Sequence, residues 1–223
     1  MEVYKDLYSV KTAILVFSRS AKADAVYKGM PQNERVFEAL TEHTLRVVGK
    51  TGLPHFLITE DLQSGNSFGE RFANAFVAIF ALGYDAIIAI GNDSPHLTAP
   101  QLLSAQDRLC QDMAALGPAT DGGFYLMGLC RSHFDQHSFT QLPWQSRNLK
   151  SAFTTYLETR RIATKWFAYM NDIDSFADIR GFVDQKRNLS HSLRRLILSL
   201  FVPQDPPRNL FTTLIDQFQL KIP

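Results

Sequence analysis

Short runs of consecutive apolar residues alternate along the chain with longer stretches in which apolar residues recur every three or four positions. The first pattern is typical of strands buried on both faces, and the second is typical of helices with one buried face. The clearest run, residues 86–90, is apolar at all five positions, which predicts a central strand of a parallel sheet. Similar runs predict strands at residues 12–17, 55–59, 113–118, 124–129 and 164–170.

Helices are predicted between these strands, so the fold class is α/β with three layers, in which helices cover both faces of a mostly parallel central sheet. One helix begins near Pro31 and ends at Gly49, and Ser67 with Glu70 has the capping-box spacing that starts another. Further helices are expected at residues 98–111 and 146–157.

The composition changes beyond residue 184. A basic amphipathic helix is predicted there, followed by a proline-rich break and a last short helix. We therefore divide the chain into a main domain, residues 1–184, and a helical C-terminal extension, residues 185–223. The extension is expected to pack on the main domain or on a second subunit, which would give a homodimer. Membrane contact is less favoured, because acidic residues and prolines interrupt the helix.

The overall composition indicates a globular protein with small-molecule or protein partners. The chain has 223 residues, 45% of them hydrophobic, and its 23 basic residues nearly balance its 22 acidic ones. That balance gives no sign of a nucleic-acid-binding surface. Cys110 and Cys130 lack metal-type spacing, and the first apolar run is too short to cross a bilayer. These features favour a cytoplasmic protein without stable membrane insertion.

Carboxylates follow several of the predicted strands. Asp93 lies in a Gly-Asn-Asp-Ser-Pro turn after the central strand, and Asp172 and Asp174 follow the last strand. Asp121 precedes Gly122 and Gly123, which would let the backbone approach a ligand closely. Open α/β sheets bind ligands at the carboxyl ends of their strands, and carboxylates there can hold a cation. The alternative is that these residues only form turns and a hairpin.

Basic and aromatic side chains add candidates for ligand binding. Arg71 lies in the first turn of a predicted helix, where a cation is unfavourable unless it meets an anion, although a packed surface arginine is the alternative. Residues 18–29 are expected to form a polar loop whose basic side chains face the same crevice or are merely solvated. Trp144 can stack on a sugar or base, or belong to the core.

The order of these motifs resembles the glycosyltransferase A-type fold, and most of all a bacterial family of nucleotide-diphospho-sugar transferases. The most specific part is Gly-Pro-Ala-Thr-Asp-Gly-Gly at residues 117–123. The other matching parts are residues 63–71 with residues 75–76, residues 91–95, residues 124–129, Trp144 and residues 172–174. Together they span roughly residues 10–184.

The resemblance implies a glycosyltransferase that uses a nucleotide-diphospho-sugar donor and a divalent cation, Mg²⁺ or Mn²⁺. It implies that Asp93, with Asp172 or Asp174, holds this cation against the diphosphate. Asp121 would face the donor sugar or the acceptor, where it could orient a hydroxyl group or take its proton. The residues expected to bind substrate or nucleotide are Arg19, Lys22, Gln63, Gly65, Arg71, Gly122, Gly123 and Trp144.

The chain also departs from the family pattern at the end where the nucleotide is expected. The loop after the first strand lacks the usual Lys-Thr-Arg-Leu-like motif, for which Lys22 or Lys28 can substitute, and Ser67 and Phe68 replace the usual aspartate and leucine. Two alternatives therefore stay open. One is a nucleotidyltransferase of the same fold, although it usually needs a glycine-rich first loop. The other is a non-catalytic protein that binds nucleotides or another protein.

Overall fold

The structure is a computed structural model that describes residues 10–173 and residue 178. The predicted C-terminal extension, the homodimer contact expected from it and Asp174 lie outside the described residues. None of the helices in the described part of the chain has the length and apolar character that a bilayer span requires.

Six strands and six α-helices form the described part of the fold. The strands are β1 (Thr12–Phe17), β2 (His55–Ile58), β3 (Ala86–Ile90), β4 (Ala114–Pro118), β5 (Phe124–Cys130) and β6 (Thr164–Trp166). The helices are α1 (Ala21–Tyr27), α2 (Glu34–Gly49), α3 (Phe68–Ala81), α4 (Ala99–Leu109), α5 (Gln136–Thr140) and α6 (Leu149–Thr159). Short 3₁₀ turns lie at Pro31–Asn33, Glu60–Leu62 and Arg131–His133.

The strands form one sheet in the order β2-β1-β3-β5-β4-β6. Its pairings are parallel except for those of β5, which runs antiparallel to both β3 and β4. This exception follows from the tight turn at residues 119–123, because strands joined by a short hairpin must be antiparallel. The predicted mostly parallel sheet between helices is confirmed.

Side chains alternate between the two faces of the sheet and join two separate apolar layers. Leu15 and Ile87 face the side covered by α3, α5 and α6. Ile14 and Ile88 face the opposite side, which α2 and α4 cover. All four residues are fully buried, which explains why their strands show no polar alternation in the sequence. The three predicted layers are therefore present.

Helix α1 is the main difference from the sequence-based expectation, which assigned a polar loop to residues 18–29. The Ser20 side chain caps this helix by accepting a hydrogen bond from the Ala23 amide at 3.3 Å. Ala25 is fully buried beside Phe37 of α2 and Ile173. One buried face and an N-cap are enough for a two-turn helix, but seven residues are too few to show a clear helical period in the sequence.

The close approach of β4 to the Tyr125 ring generates a stability prediction. A Cβ atom on Gly117 would lie 2.4 Å from Cζ of Tyr125, whose side chain is fully buried. We expect Gly117→Ala to lower the free energy of unfolding by about 1–3 kcal/mol, the usual effect of overpacking. Gly49→Ala is the matched control, because a Cβ atom there meets no atom within 4 Å. Chemical denaturation of both variants tests this, and equal stabilities would contradict it.

Candidate functional site

A crevice of about 1240 Å³ lies at the carboxyl-end edge of β1 and β3, beside the turn that joins β4 to β5. This is the edge at which open α/β sheets bind ligands. The predicted site residues that line it are Arg19, Lys22, Gln63, Arg71, Asp93, Asp121, Gly123, Trp144 and Asp172. Gly65 and Gly122 lie in adjacent turns, outside the lining.

Asp93 and Lys28 form a largely buried ion pair at the centre of this edge. The Lys28 ammonium lies 3.0 Å from Oδ2 of Asp93 and donates to the Ile173 carbonyl at 2.6 Å. The Lys28 side chain is 3% exposed, and that of Asp93 is 29% exposed. The other carboxylate oxygen, Oδ1, is turned back over its own loop, where a Cβ atom on Gly91 would lie 2.8 Å from it.

The loop that carries Asp93 is held from both sides. The Ile173 amide donates to the Asp93 carbonyl at 2.9 Å. From α2, Nε2 of His43 donates to the Pro95 carbonyl at 3.1 Å, and the Asn92 amide donates to Thr41 at 2.9 Å. Burial lowers the pKa of His43, which favours the neutral ring. The position of the Asp93 carboxylate is thus fixed by backbone contacts around it.

Asp172 lies in the same crevice and accepts a short hydrogen bond from the Ser94 hydroxyl. Burial, assisted by the negative charge of Asp172, raises the pKa of Tyr125 to about 12. The Tyr125 hydroxyl donates to the Ala168 carbonyl at 3.0 Å. This phenol therefore stays protonated at neutral pH and acts as a structural donor.

Asp24 is a crevice residue that the sequence analysis missed. It is buried on α1, with Oδ1 3.6 Å from the Arg19 guanidinium. Burial raises the pKa of Asp24, and the nearby Asp93 charge adds to this, while Lys28 and Arg19 act in the opposite direction. Asp24 on α1 and Lys28 at its C-cap are four residues apart, a spacing whose meaning is visible only once residues 21–27 are recognised as helical.

Three cations line the crevice without a partner among the described residues: Lys22, Arg71 and Arg147. Arg71 is half-buried, whereas the other two are exposed. Arg147 was not predicted, because a single arginine in a polar stretch gives no sequence signal. Its backbone packs against the turn at Gly122, where φ is 100° and a Cβ atom would lie 3.2 Å from the Arg147 Cα.

Several predicted ligand-binding residues have structural contacts of their own. The Gln63 amide donates to the Ser18 and Ile58 carbonyls at 2.9 and 3.2 Å, tying together the ends of β1 and β2. Gly65 has a φ of 135°, which favours glycine, and it shapes the turn into α3. Asp121 accepts from the Gly123 amide at 2.9 Å and closes the hairpin turn. Their roles in binding or catalysis stay predictions.

Trp144 is mainly a packing residue. Its ring centroid lies 4.8 Å from that of Phe139 and 5.3 Å from that of Phe72, and its indole N–H donates to the Phe139 carbonyl at 2.8 Å. The close fit requires Gly69, where a Cβ atom would lie 2.6 Å from the indole. Part of the ring still lines the crevice, and stacking on a sugar or base stays a prediction.

The predicted divalent cation does not fit this arrangement of the described residues. Oδ2 of Asp93 is already paired with Lys28. A divalent ion within about 5 Å of the ammonium would be repelled by about 7 kcal/mol at an effective dielectric constant of about 20. Moving Lys28 away would leave a buried charge without its partner, which costs about 3–5 kcal/mol. Asp174 lies outside the described residues, so Mg²⁺ or Mn²⁺ at Asp93, Asp172 and Asp174 stays a prediction.

A second group of potential metal ligands, Asp112, Cys130 and His133, lies at the opposite edge of the sheet. Nδ1 of His133 accepts from the Cys130 amide at 3.3 Å, so Nε2 carries the proton that faces Asp112 at 3.0 Å. Burial raises the pKa of the Cys130 thiol to about 12. In this arrangement the group is held by hydrogen bonds among its own members, and a metal ion would have to displace the protons of the thiol and of Nε2.

Comparison with protein families identifies the chain. The sequence profile of a family described as "uncharacterized protein conserved in bacteria", DUF2064, matches residues 34–146, just over half of the chain. The chain belongs to the DUF2064 family. The matched region includes Asp93, Asp121 and Trp144, whereas Lys28 and Asp172 lie outside it. No curated protein matches the chain.

Among solved structures, one from Desulfovibrio desulfuricans G20 described as a "putative nucleotide-diphospho-sugar transferase" is similar. It has 21% identity and a TM-score of 0.75, and the match covers 85% of this DUF2064 chain and 94% of that chain. This likeness confirms the fold expected from the resemblance. Two further structures are more distant. A CMP:2-keto-3-deoxy-manno-octonic acid synthetase complexed with CTP has 14% identity and a TM-score of 0.46, and the match covers 79% of this chain and 100% of that chain. Rv0371c of Mycobacterium tuberculosis H37Rv in complex with manganese has 11% identity and a TM-score of 0.45, and the match covers 78% of this chain and 99% of that chain.

The contact between His43 and the Asp93 loop predicts a pH effect. Because the folded state lowers the pKa of His43 below its ordinary value of 6.5, protonation favours unfolding. Stability conferred by neutral His43 is therefore fully present above about pH 6.5 and is lost as the pH falls below it, by at most about 1.4 kcal/mol per pH unit. His43→Gln should flatten this dependence, whereas His55→Gln, at an exposed position, should not. Urea unfolding between about pH 7 and pH 5 tests this, and equal slopes in both variants would contradict it.

Proposed function

We propose that the crevice binds a nucleotide-diphospho-sugar donor and transfers its glycosyl group to an acceptor. The observation that carries this proposal is the set of cations without partners, above all the half-buried Arg71, at the carboxyl-end edge of the sheet. A guanidinium donates two parallel hydrogen bonds to phosphate oxygens, so these side chains suit a diphosphate. The fold, shared with the Desulfovibrio desulfuricans structure, is compatible with such a ligand.

The position of Arg71 supports an anionic ligand. It lies in the first turn of α3, which begins at Phe68 after the N-cap Ser67. The N-terminus of a helix carries partial positive charge, so a cation there typically costs about 0.3–1 kcal/mol. Bound phosphate would reverse the sign of this effect, because it interacts favourably with both the helix and the guanidinium.

The transfer reaction needs two kinds of group in the crevice. As the bond between the anomeric carbon and the diphosphate oxygen breaks, negative charge develops on the leaving nucleoside diphosphate, which the cations stabilise. A new bond forms from an acceptor hydroxyl to the anomeric carbon, and the hydroxyl proton must be accepted. Asp121 is our candidate for orienting this hydroxyl or taking its proton, because it lines the crevice on an exposed turn.

Product analysis tests this activity against a nucleotidyltransferase of the same fold. The protein is incubated with a panel of nucleotide sugars and, separately, with nucleoside triphosphates and sugar phosphates. We expect nucleoside diphosphate to be released from a nucleotide sugar in the presence of an acceptor extract. Release of pyrophosphate from a triphosphate would instead support nucleotidyl transfer. Release of neither product, together with nucleotide binding, would support a non-catalytic role.

Arg71→Ala tests the binding part of the proposal. Loss of a charge-assisted contact to phosphate typically costs about 1.5–3 kcal/mol, so affinity for nucleoside diphosphates should fall by about 10- to 100-fold. Isothermal titration of CDP, UDP, GDP and ADP gives the measurement, and Arg35→Ala is the matched control because Arg35 is exposed on α2, outside the crevice. Unchanged affinity in Arg71→Ala, or the same loss in the control, would contradict the proposed site.

A further inference from the structure

We infer that the Lys28 ammonium, rather than a divalent metal ion, is the counter-ion of Asp93, so that the crevice binds a diphosphate without added metal. This inference rests on the proposed function for the diphosphate ligand. It specifies which cation neutralises Asp93 while the ligand is bound. Lys28 is then a positioning residue, because it acts on the ligand through Asp93.

The ammonium is held at this place by groups from separate parts of the chain. Lys28 follows α1, Asp93 follows β3, and Ile173 follows the last strand. The Lys28 ammonium donates to Oδ2 of Asp93 at 3.0 Å and to the Ile173 carbonyl at 2.6 Å. It also lies 5.8 Å from the Phe37 ring centroid. A lysine that is 3% exposed and bound to a carboxylate and a carbonyl is a fixed internal cation.

One oxygen of each described carboxylate that would hold a metal already accepts a hydrogen bond. Oδ2 of Asp93 accepts from Lys28, and Oδ1 lies against Gly91. Oδ1 of Asp172 accepts from the Ser94 hydroxyl. The described residues of this crevice also include no group of three acidic or imidazole ligands close enough together to share an ion. Among the described residues, Lys28 and Ser94 therefore occupy one oxygen each of Asp93 and Asp172 without a metal.

Helix α1 explains how this arrangement arises in the chain. It occupies the segment where the sequence departs from the loop expected for related transferases, and it places Lys28 at its C-cap. A cation at the C-terminus of a helix is favourable, because that end carries partial negative charge. The amide of Lys28 also donates to the Asp24 carbonyl at 2.9 Å, which fixes the backbone from which the side chain enters the crevice.

The crevice is lined by as many acidic as basic side chains, and the ion pair removes Asp93 from the carboxylates that would oppose a diphosphate. Lys28 offsets the charge of Asp93, so Lys22, Arg71 and Arg147 face the ligand without an opposing carboxylate partner among the described residues. Without Lys28, the Asp93 carboxylate would repel the phosphates. A divalent ion could then bind Asp93, because the carboxylate would be unpaired and the ammonium would no longer occupy the space beside it.

The first experiment uses the wild-type protein with inorganic pyrophosphate as the probe. Isothermal titration is carried out in excess EDTA and again with Mn²⁺. We expect affinities that agree within about twofold, and no rise in melting temperature on adding Mn²⁺ alone. A loss of binding of about tenfold or more in EDTA would overturn the inference. So would a Mn²⁺-dependent rise in melting temperature that Asp93→Asn abolishes.

The second experiment changes the metal requirement through Lys28→Met, which keeps the length and apolar stem of the side chain. In EDTA this variant should bind pyrophosphate at least about tenfold more weakly than the wild type, because the carboxylate is no longer neutralised. Mn²⁺ should restore the affinity of the variant for pyrophosphate. It should also raise the melting temperature of the variant but not that of the wild type. Lys50→Met, at an exposed position at the end of α2, is the matched control and should behave as the wild type.

The outcomes separate this inference from the proposed function. If neither pyrophosphate nor any nucleoside diphosphate binds under any condition, the proposed function fails, while the melting temperatures with Mn²⁺ still test the role of Lys28. A Mn²⁺ effect in the wild type that is lost in Asp112→Asn and kept in Asp93→Asn arises at the opposite edge and supports a metal-free crevice. If Lys28→Met does not fold, the wild-type measurements with EDTA and with Mn²⁺ still test whether the crevice binds pyrophosphate without a metal.

Discussion

The ion pair between Lys28 and Asp93 connects the elements that form the crevice. It joins α1 to the loop after the central strand, and through the Ile173 carbonyl it joins both to the segment that carries Asp172. A pair buried to this degree is strongly destabilising to break by removing one partner, at about 3–5 kcal/mol, although the intact pair need not add much net stability. Its main consequence is therefore geometric, because it fixes where the negative charge of the crevice lies.

The sheet supplies the frame on which this pair rests. Strand β3 is buried along its whole length and is paired on both sides, with β1 and β5. Its rigid end and the contacts from α2 hold the Asp93 loop, whereas the cations that face the ligand come from α1, α3 and the loop before α6. This division is common in α/β proteins, where a rigid scaffold positions loops that carry the function.

The frame and most of its carboxylates could be predicted from the sequence, because a strand buried on both faces and a glycine-proline turn after it both leave strong local patterns. The structure places Asp93, Asp121 and Asp172 in one crevice, as expected for residues that follow strands of one sheet. Helix α1 has only seven residues and one narrow buried face, so the sequence shows no clear helical period of apolar residues there. The pairing of Lys28 with Asp93 joins residues 65 positions apart, and only the folded chain shows it. Arg147 was missed because its place depends on a turn at Gly122.

The central claim is that Lys28 and Asp93 act as one unit, and a double-mutant cycle tests it most directly. The free energies of unfolding are measured for wild type, Lys28→Met, Asp93→Asn and the double variant, in EDTA. A buried, hydrogen-bonded charge pair predicts a coupling energy of about 1.5 kcal/mol or more, with the double variant more stable than the sum of the single changes implies. A coupling energy within about 0.3–0.5 kcal/mol of zero, the range found for independent sites, would contradict the account.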